Sequence, residues 1–373
     1  MKEANKVLIL APASTARGGI TNYYQVLRKE FPENIEYFLR GARNWPYRKG
    51  IVSEMIRAYR DYSNFRKRIL QGDIGLVQTS TSLGFWTTIR DGLFVKCAFK
   101  HKIKTIVFFR GWDDQAVSKV QHYLSLFRYF FFPSYAIITL SEKSKKDLHN
   151  WGYRKDIFIE TTLVDKDLLV DVDEQSIVNK YSVLKGNAIN LLYFSRVEIR
   201  KGIYDLLSAY EILTSVQSAN RYSLSICGDG KELDNIKDLI DQKKLKNVHV
   251  MDFVEGVKKK SAFENAHLLV FPSYGEGMPN AVLEAMGFGL PVLTTPVGGI
   301  TDFFKNGVHG YYIKPSEPAD IVKKIALLLS EPGSMHRMAI ANYKLASELF
   351  RSDMVSERIA KIFRNILQAD FPL

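Results

Sequence analysis

Two glutamates, Glu276 and Glu284, stand with seven residues between them within HLLVFPSYGEGMPNAVLEAMGFGLPVLTTPVGG, which opens at His267. A carboxylate accepts hydrogen bonds from two neighbouring hydroxyls, the pattern that a sugar or a ribose presents. Glu276 falls in a loop before a helix, and Glu284 lies about 6 Å along that helix from Asn280. The pair can therefore reach two parts of one nucleotide-sugar. Taken singly, Glu276 can instead offset the helix dipole and Glu284 can be a solvated helix residue. A second constellation, Phe194-Ser-Arg-Val-Glu-Ile-Arg-Lys-Gly202, supplies Arg196 as a fork for phosphate and Lys201 as a point charge. Both follow the end of an apolar run, and a surface-charge role is the alternative.

The elements needed to hold these groups are legible around them. Leu268–Phe271 reads as a buried strand, Tyr274 to Gly277 as a glycine corner, and Asn280–Met286 as a helix with Pro279 in its first turn. The amides at that helix start have no internal partner, and glycine lets an anion come close, so Gly277, Met278 and Asn280, with Pro279 shaping the turn rather than donating, are expected to form a diphosphate seat. Further apolar runs at Val7–Leu10, Ile74–Gln78, Thr105–Phe109 and Ala136–Leu140, and then near Asn190, Ser223, Asn247 and Pro291, alternate with helical segments. That alternation predicts α/β architecture with parallel sheets.

A length of 373 residues exceeds what one core usually supports. The acidic stretch Asp165–Glu174 marks the linker. The two cysteines, Cys97 and Cys227, suit a reducing compartment, and the seven histidines show no metal spacing. The N-terminus lacks a signal-peptide layout. The longest apolar run, Leu124–Leu140, is interrupted by Arg128 and Pro133, too early for a membrane span.

Net charge is +12, yet residues 1–160 hold 27 Lys+Arg against 14 Asp+Glu and the remainder 25 against 26. In the basic half, Arg40, Arg43, Trp45, Tyr47, Arg48 and Lys49 lead into a helix carrying Arg57, Tyr59, Arg60, Tyr62, Phe65, Arg66, Lys67 and Arg68. Lys96, Lys100, His101, Lys102 and Lys104 form a second cluster. Cations among aromatics suit an anionic membrane surface; a plain solvated face is the alternative.

The ordered string PSYGEG, EAMGFGLPV, VGGI and NGVHGYYIKP, with Glu276 and Glu284 at their spacing, resembles the retaining nucleotide-sugar glycosyltransferases of family 4. The likeness is dense over about residues 188–350. It implies the GT-B fold: two Rossmann-like parallel-sheet domains facing a central cleft. The expected domains are an acceptor-binding domain at 1–168, completed by a C-terminal helix at 353–373, and a nucleotide-sugar-binding domain at 169–352. It further implies that Arg196 and Lys201 hold the donor diphosphate, that Glu276 positions the sugar and Glu284 the ribose, and that Gly18 and Gly19 line the phosphate side. Gly228 in Cys227-Gly-Asp-Gly and Val254 after the Asn247 strand fall where relatives contact the nucleotide, although ordinary turn roles serve equally.

Relatives usually carry a histidine where this chain has Arg110, which suggests a phosphate or acidic group nearby. Asp113 can orient Arg110 or an acceptor hydroxyl, or form a structural ion pair. The resemblance implies a transferase that retains anomeric configuration without a metal or other cofactor. It would move sugar from a nucleotide-diphosphate sugar, UDP favoured, to a glycan or lipid-linked saccharide acceptor. Front-side attack, with the leaving phosphate taking the acceptor proton, fits the lack of a placed carboxylate nucleophile. The setting expected is cytoplasmic, peripheral on the inner membrane. A nucleotide-sugar epimerase and a non-catalytic sugar-nucleotide- or partner-binding protein are the alternatives, and no nucleic-acid partner is expected.

Overall fold

In the computed structural model, residues 6–13, 18–41, 50–182, 188–216, 219–331 and 333–369 are described. The chain forms two units, Met1–Thr162 with Ser352–Leu373, and Leu163–Arg351. Parallel strands need long crossovers rather than tight turns, which is why apolar runs alternate with helices throughout.

The first unit contains β1 (Lys6–Pro12), β2 (Ile35–Arg40), β3 (Ile74–Ser82), β4 (Lys104–Gly111), β5 (Ala136–Thr139) and β6 (Ile157–Ile159). They pair in parallel in the order β2-β1-β3-β4-β5-β6. The second unit contains β7 (Ile189–Phe194), β8 (Tyr222–Cys227), β9 (Val248–Met251), β10 (Leu268–Phe271), β11 (Val292–Thr294) and β12 (Gly310–Tyr312), in the order β12-β11-β10-β7-β8-β9, again parallel.

Three strands, β2, β6 and β12, escape the sequence reading, and all three are sheet edges. β2 mixes acid and base into its run, and β6 and β12 are only three residues long, so they lack the longer apolar run that announces a strand. The run Leu124–Leu140 folds as a helix over Leu124–Phe131, a turn and β5. Its Arg128 caps the neighbouring backbone, Nε donating to the Trp151 carbonyl at 2.8 Å. Among the described residues no helix is long and apolar enough to cross a membrane.

The acidic stretch Asp165–Glu174 is only partly a spacer. The units divide at Thr162/Leu163, and Leu169 is buried beside Gly287, where an added Cβ would lie 3.2 Å from Leu169 Cδ1.

The helix Ser352–Gln368 packs within the first unit, with the rings of Phe363 and Phe31 6.1 Å apart. Arg358 reaches Glu160 with Nη2 to Oε2 at 3.0 Å. Lys104, assigned by composition to a surface cluster, is buried: Nζ donates to the carbonyls of Ile366 at 2.7 Å, Leu367 at 3.1 Å and Ala369. A cation there complements the negative end of the helix.

Other members of the basic stretch also serve the interior. Arg40 pairs with Asp91 at 2.5 Å, Arg68 bridges Glu36 and Asp73, and Phe65 is fully buried. Arg60, Arg66 and Lys67 are exposed. Arg43, Trp45, Tyr47, Arg48 and Lys49 lie outside the described residues, as do 14–17 of the first loop.

Candidate functional site

Because the second sheet is parallel, the loops after β7, β8, β9, β10 and β11 share one edge. The chain runs β7, β8, β9 in one direction and β10, β11, β12 in the other. The direction therefore reverses between β7 and β10, the place where open α/β sheets bind ligands. The loop with Arg196 and Lys201 follows β7, and the loop with Glu276 follows β10.

Glycines let these loops stack backbone on backbone. A Cβ on Gly228 would sit 1.9 Å from the Ser195 carbonyl oxygen, one on Gly202 2.1 Å from that of Pro272, and one on Gly298 2.4 Å from those of Glu276 and Gly277. Cross-loop amides complete the packing: Val197 N–H donates to the Asp229 carbonyl at 2.8 Å, Tyr274 N–H to Arg200 at 2.9 Å, and Gly299 N–H to Gly277 at 2.7 Å. Gly228 thus has a packing duty that sequence alone left open between turn and nucleotide roles.

At the reversal, Lys201 ends a short 3-10 turn and is 6 % exposed. Its Nζ donates to Glu276 Oε1, which also accepts from Ser273 Oγ at 2.7 Å. Two residues assigned separately to diphosphate and sugar are therefore bonded to each other. Arg196 lies out in solvent, its side chain 60 % exposed and its Nη1 donating to Glu198 Oε1 at 2.8 Å. Tyr193 ties the group together: its hydroxyl donates to the Arg196 carbonyl at 2.9 Å. Burial pushes that phenol well above its ordinary range; Glu276 and Glu198 add to the rise and Arg196 opposes it. Arg200 donates weakly to the Gly275 carbonyl at 3.4 Å from an exposed position.

The helix Asn280–Gly287 has Pro279 as its N-cap residue, without a side-chain hydrogen bond to its first amides. Met278 and Pro279 are buried, and Gly277 and Asn280 are half-buried. Glu284 is 3 % exposed, which excludes a solvated helix residue. Lys259, from the helix Gly256–Asn265, donates to Glu284 Oε1 at 2.6 Å. Burial raises the Glu284 carboxyl above its ordinary range, Lys259 restrains the rise, and Asp165 adds to it. Lys259 and Ser273 were missed by sequence reasoning, since a lysine in VKKKSAFEN looks like any solvated cation. After β9, Val254 is buried and Phe253 exposed.

In the first unit, Gly18 (φ +145°) caps the helix Gly19–Glu30, and among the described residues nothing lies within 4 Å of a Cβ built on it. Backbone angle, not crowding, calls for glycine there. Arg110 near the end of β4 is buried, its guanidinium 3.6 Å from the ring centre of Tyr23 and 4.7 Å from that of Phe108. Asp113 does not orient it. Its Oδ1 accepts from Ala116 N–H at 2.9 Å and caps the helix Asp114–Val120. Among the described residues no group of three or more His, Cys, Asp or Glu converges to hold a metal ion.

The description Glycosyl transferases group 1 matches residues 177–345. An uncharacterized glycosyltransferase of Methanocaldococcus jannaschii is 27 % identical over 175 residues, 47 % of this chain and 44 % of that protein. The capsular polysaccharide biosynthesis glycosyltransferase CapM of Staphylococcus aureus is 25 % identical over 199 residues, covering 53 % and 51 %. The chain thus spans about half the length of these two curated relatives.

Among solved structures, sucrose-phosphate synthase from Thermosynechococcus elongatus superposes with a TM-score of 0.73 at 15 % identity, over 98 % of this chain and 100 % of that one. Anabaena HepE in complex with UDP gives 0.71 at 17 %, over 96 % and 100 %. At such identities the structures speak for the fold alone. Two six-stranded parallel sheets of the GT-B type are present, and over residues 177–345 the chain carries a glycosyl transferases group 1 domain.

Proposed function

We propose that the protein is a retaining glycosyltransferase. It would move a sugar from a nucleotide-diphosphate sugar, UDP favoured, to a glycan or lipid-linked saccharide in surface-polysaccharide assembly. The observation that carries the proposal is the Lys201–Glu276 contact at the strand-order reversal of the second sheet. There a cation and a carboxylate lie beside a helix start whose first amides lack a side-chain cap. CapM is named for capsular polysaccharide biosynthesis, and HepE was solved with UDP.

In this assignment Arg196 swings from Glu198 to the diphosphate, joined by Lys201 and the amides at the start of the helix Asn280–Gly287. Glu276 turns to the sugar hydroxyls. Gly228 and Val254 border the base, and Glu284 reaches the ribose. The cations offset charge on the departing diphosphate, so the chemistry asks for no metal. The leaving phosphate takes the acceptor proton in a front-side attack.

The test incubates the protein with a panel of nucleotide sugars and oligosaccharide acceptors, with and without EDTA, and follows nucleoside diphosphate and anomeric configuration. Acceptor-dependent release with retention, unaffected by EDTA and strongly reduced in Glu276→Gln, is expected. Release without acceptor, or full activity in that variant, refutes it.

A cytoplasmic location against an anionic membrane completes the proposal. The helix Ile51–Ile69 exposes Val52, Met55, Ile56 and Tyr59 at helical spacing, beside exposed Arg60, Arg66 and Lys67. Apolar side chains with flanking cations suit an interfacial helix. Flotation with anionic and neutral vesicles checks this, and equal recovery from both excludes it.

A further inference from the structure

Three cations are buried among the described residues: Lys104, Arg110 and Lys201. Lys201 has the Glu276 carboxylate, and Lys104 has carbonyls at the end of a helix. Arg110 has two aromatic rings, and its Nη1 is buried without a hydrogen-bond partner. An unpaired buried charge is costly, and a desolvated cation–π contact returns only about 2 kcal/mol.

Among the described residues, the buried acids of the first unit are committed elsewhere. Asp91 is held by Arg40 at 2.5 Å and by Arg90 at 2.7 Å, and Glu160 is held by Arg358. The Tyr24 hydroxyl is engaged, accepting from Gln78 Nε2 at 2.5 Å and bonded to Ser80 Oγ, while Arg40 donates to the Ser80 carbonyl at 2.8 Å; the neutral Tyr23 hydroxyl, itself buried without a hydrogen-bond partner, brings no charge to offset that of Arg110. Arg110 and Arg40 both act on the Tyr24 hydroxyl, opposing the rise in its pKa that burial causes. The first unit therefore holds a surplus positive charge near the carboxyl end of β4. That strand lies next to β3, and the strand order of this sheet reverses between β1 and β3, a place where such sheets take ligands. Packing against Tyr23 fixes the plane of the guanidinium, which is the pre-organisation a forked contact with an oxyanion requires.

We propose that Arg110 binds an oxyanion carried by the acceptor, so that the acceptor is an acidic or phosphorylated saccharide. The proposal rests on the reading of the protein as a glycosyltransferase. Carboxylate and phosphate share the chemistry, and separate ligands tell them apart.

The experiment measures thermal unfolding of the full chain saturated with UDP, so that the anion seat of the second unit is filled. Glucuronate, inorganic phosphate or glucose is then added at constant ionic strength. Glucuronate or phosphate, but not glucose, should raise the Tm by about 2–4 °C near saturation. A response to glucuronate alone assigns an acidic sugar, and one to phosphate alone a phosphorylated acceptor. Arg110→Met should abolish the rise and, without ligand, melt at or above the wild-type temperature, since it removes an unpaired charge. Arg110→Lys should keep a smaller rise, and it serves as the probe if the methionine variant does not fold. Equal anion responses in wild type and both variants overturn the proposal, as does a wild type that responds to neither anion. Should UDP itself give no shift, the donor assignment fails, and the same titration without UDP still decides Arg110.

Discussion

Lys201 and Glu276 should behave as one energetic unit, and a double-mutant cycle measures how strongly. Their side chains are 7 % and 14 % exposed. Removing one partner of a buried ion pair costs about 3–5 kcal/mol, whereas replacing both is often nearly neutral. Glu276 keeps its bond from Ser273 and some contact with water, so each single change, Lys201→Met or Glu276→Gln, should cost about 2 kcal/mol. The double variant should lose about 1 kcal/mol, giving a coupling of about 3 kcal/mol.

Urea unfolding followed by far-UV circular dichroism reads both units, since each contains helices and strands. Tryptophan fluorescence reads only the first, because Trp45, Trp86, Trp112 and Trp151 all precede Leu163. The dichroism transition should move in part while the fluorescence transition stays. The double variant, although more stable than either single variant, should remain inactive, which separates catalysis from folding. If the single losses simply add in the double variant, the contact carries no energy and the reasoning fails.

Three further outcomes follow from individual contacts. Burial holds the Glu284 carboxyl above 4.5, so the folded state binds its proton more tightly than the unfolded chain; this contribution is full below pH 4.5 and is lost as pH rises through the folded value. Lys259→Met lifts the folded value further, so its stability deficit relative to wild type should widen from pH 5 to pH 8 in dichroism melts; an equal deficit at both rejects the pairing. Gly228→Ala should destabilise the second unit by about 2–4 kcal/mol, because its Cβ would meet the Ser195 carbonyl at 1.9 Å; a loss below about 0.5 kcal/mol would mean that the loops relax. Asp113→Ala should cost the first unit about 1 kcal/mol in fluorescence-detected unfolding, with Asp113→Asn restoring most of it; no change would remove the cap.

What the sequence makes legible is what neighbours in the chain determine. The central strands announce themselves because both faces are buried, and the glycine corner, its helix and the Arg196–Gly202 loop are contiguous. Three of the four edge strands, β2, β6 and β12, do not: β2 mixes acid and base into its run, and β6 and β12 are only three residues long. Charge is the harder case, because the solvation of a cation depends on partners brought in from afar. Lys201 meets Glu276 across 75 positions, Lys259 meets Glu284 across 25, and Lys104 meets the Ile366 carbonyl across 262. Composition sees only a surplus of lysine and arginine in the first half. The fold commits Arg40, Arg68 and Lys104 to the interior and leaves Arg60, Arg66 and Lys67 outside. Sheet order accounts for the Lys201–Glu276 meeting: reversal between β7 and β10 makes neighbours of two loops that are far apart in the chain. One loop brings a cation and the other a carboxylate, and in the proposed assignment each becomes available to the donor only when the donor replaces its present partner. Donor affinity should therefore depend on the strength of that internal pair as well as on the contacts made to the nucleotide.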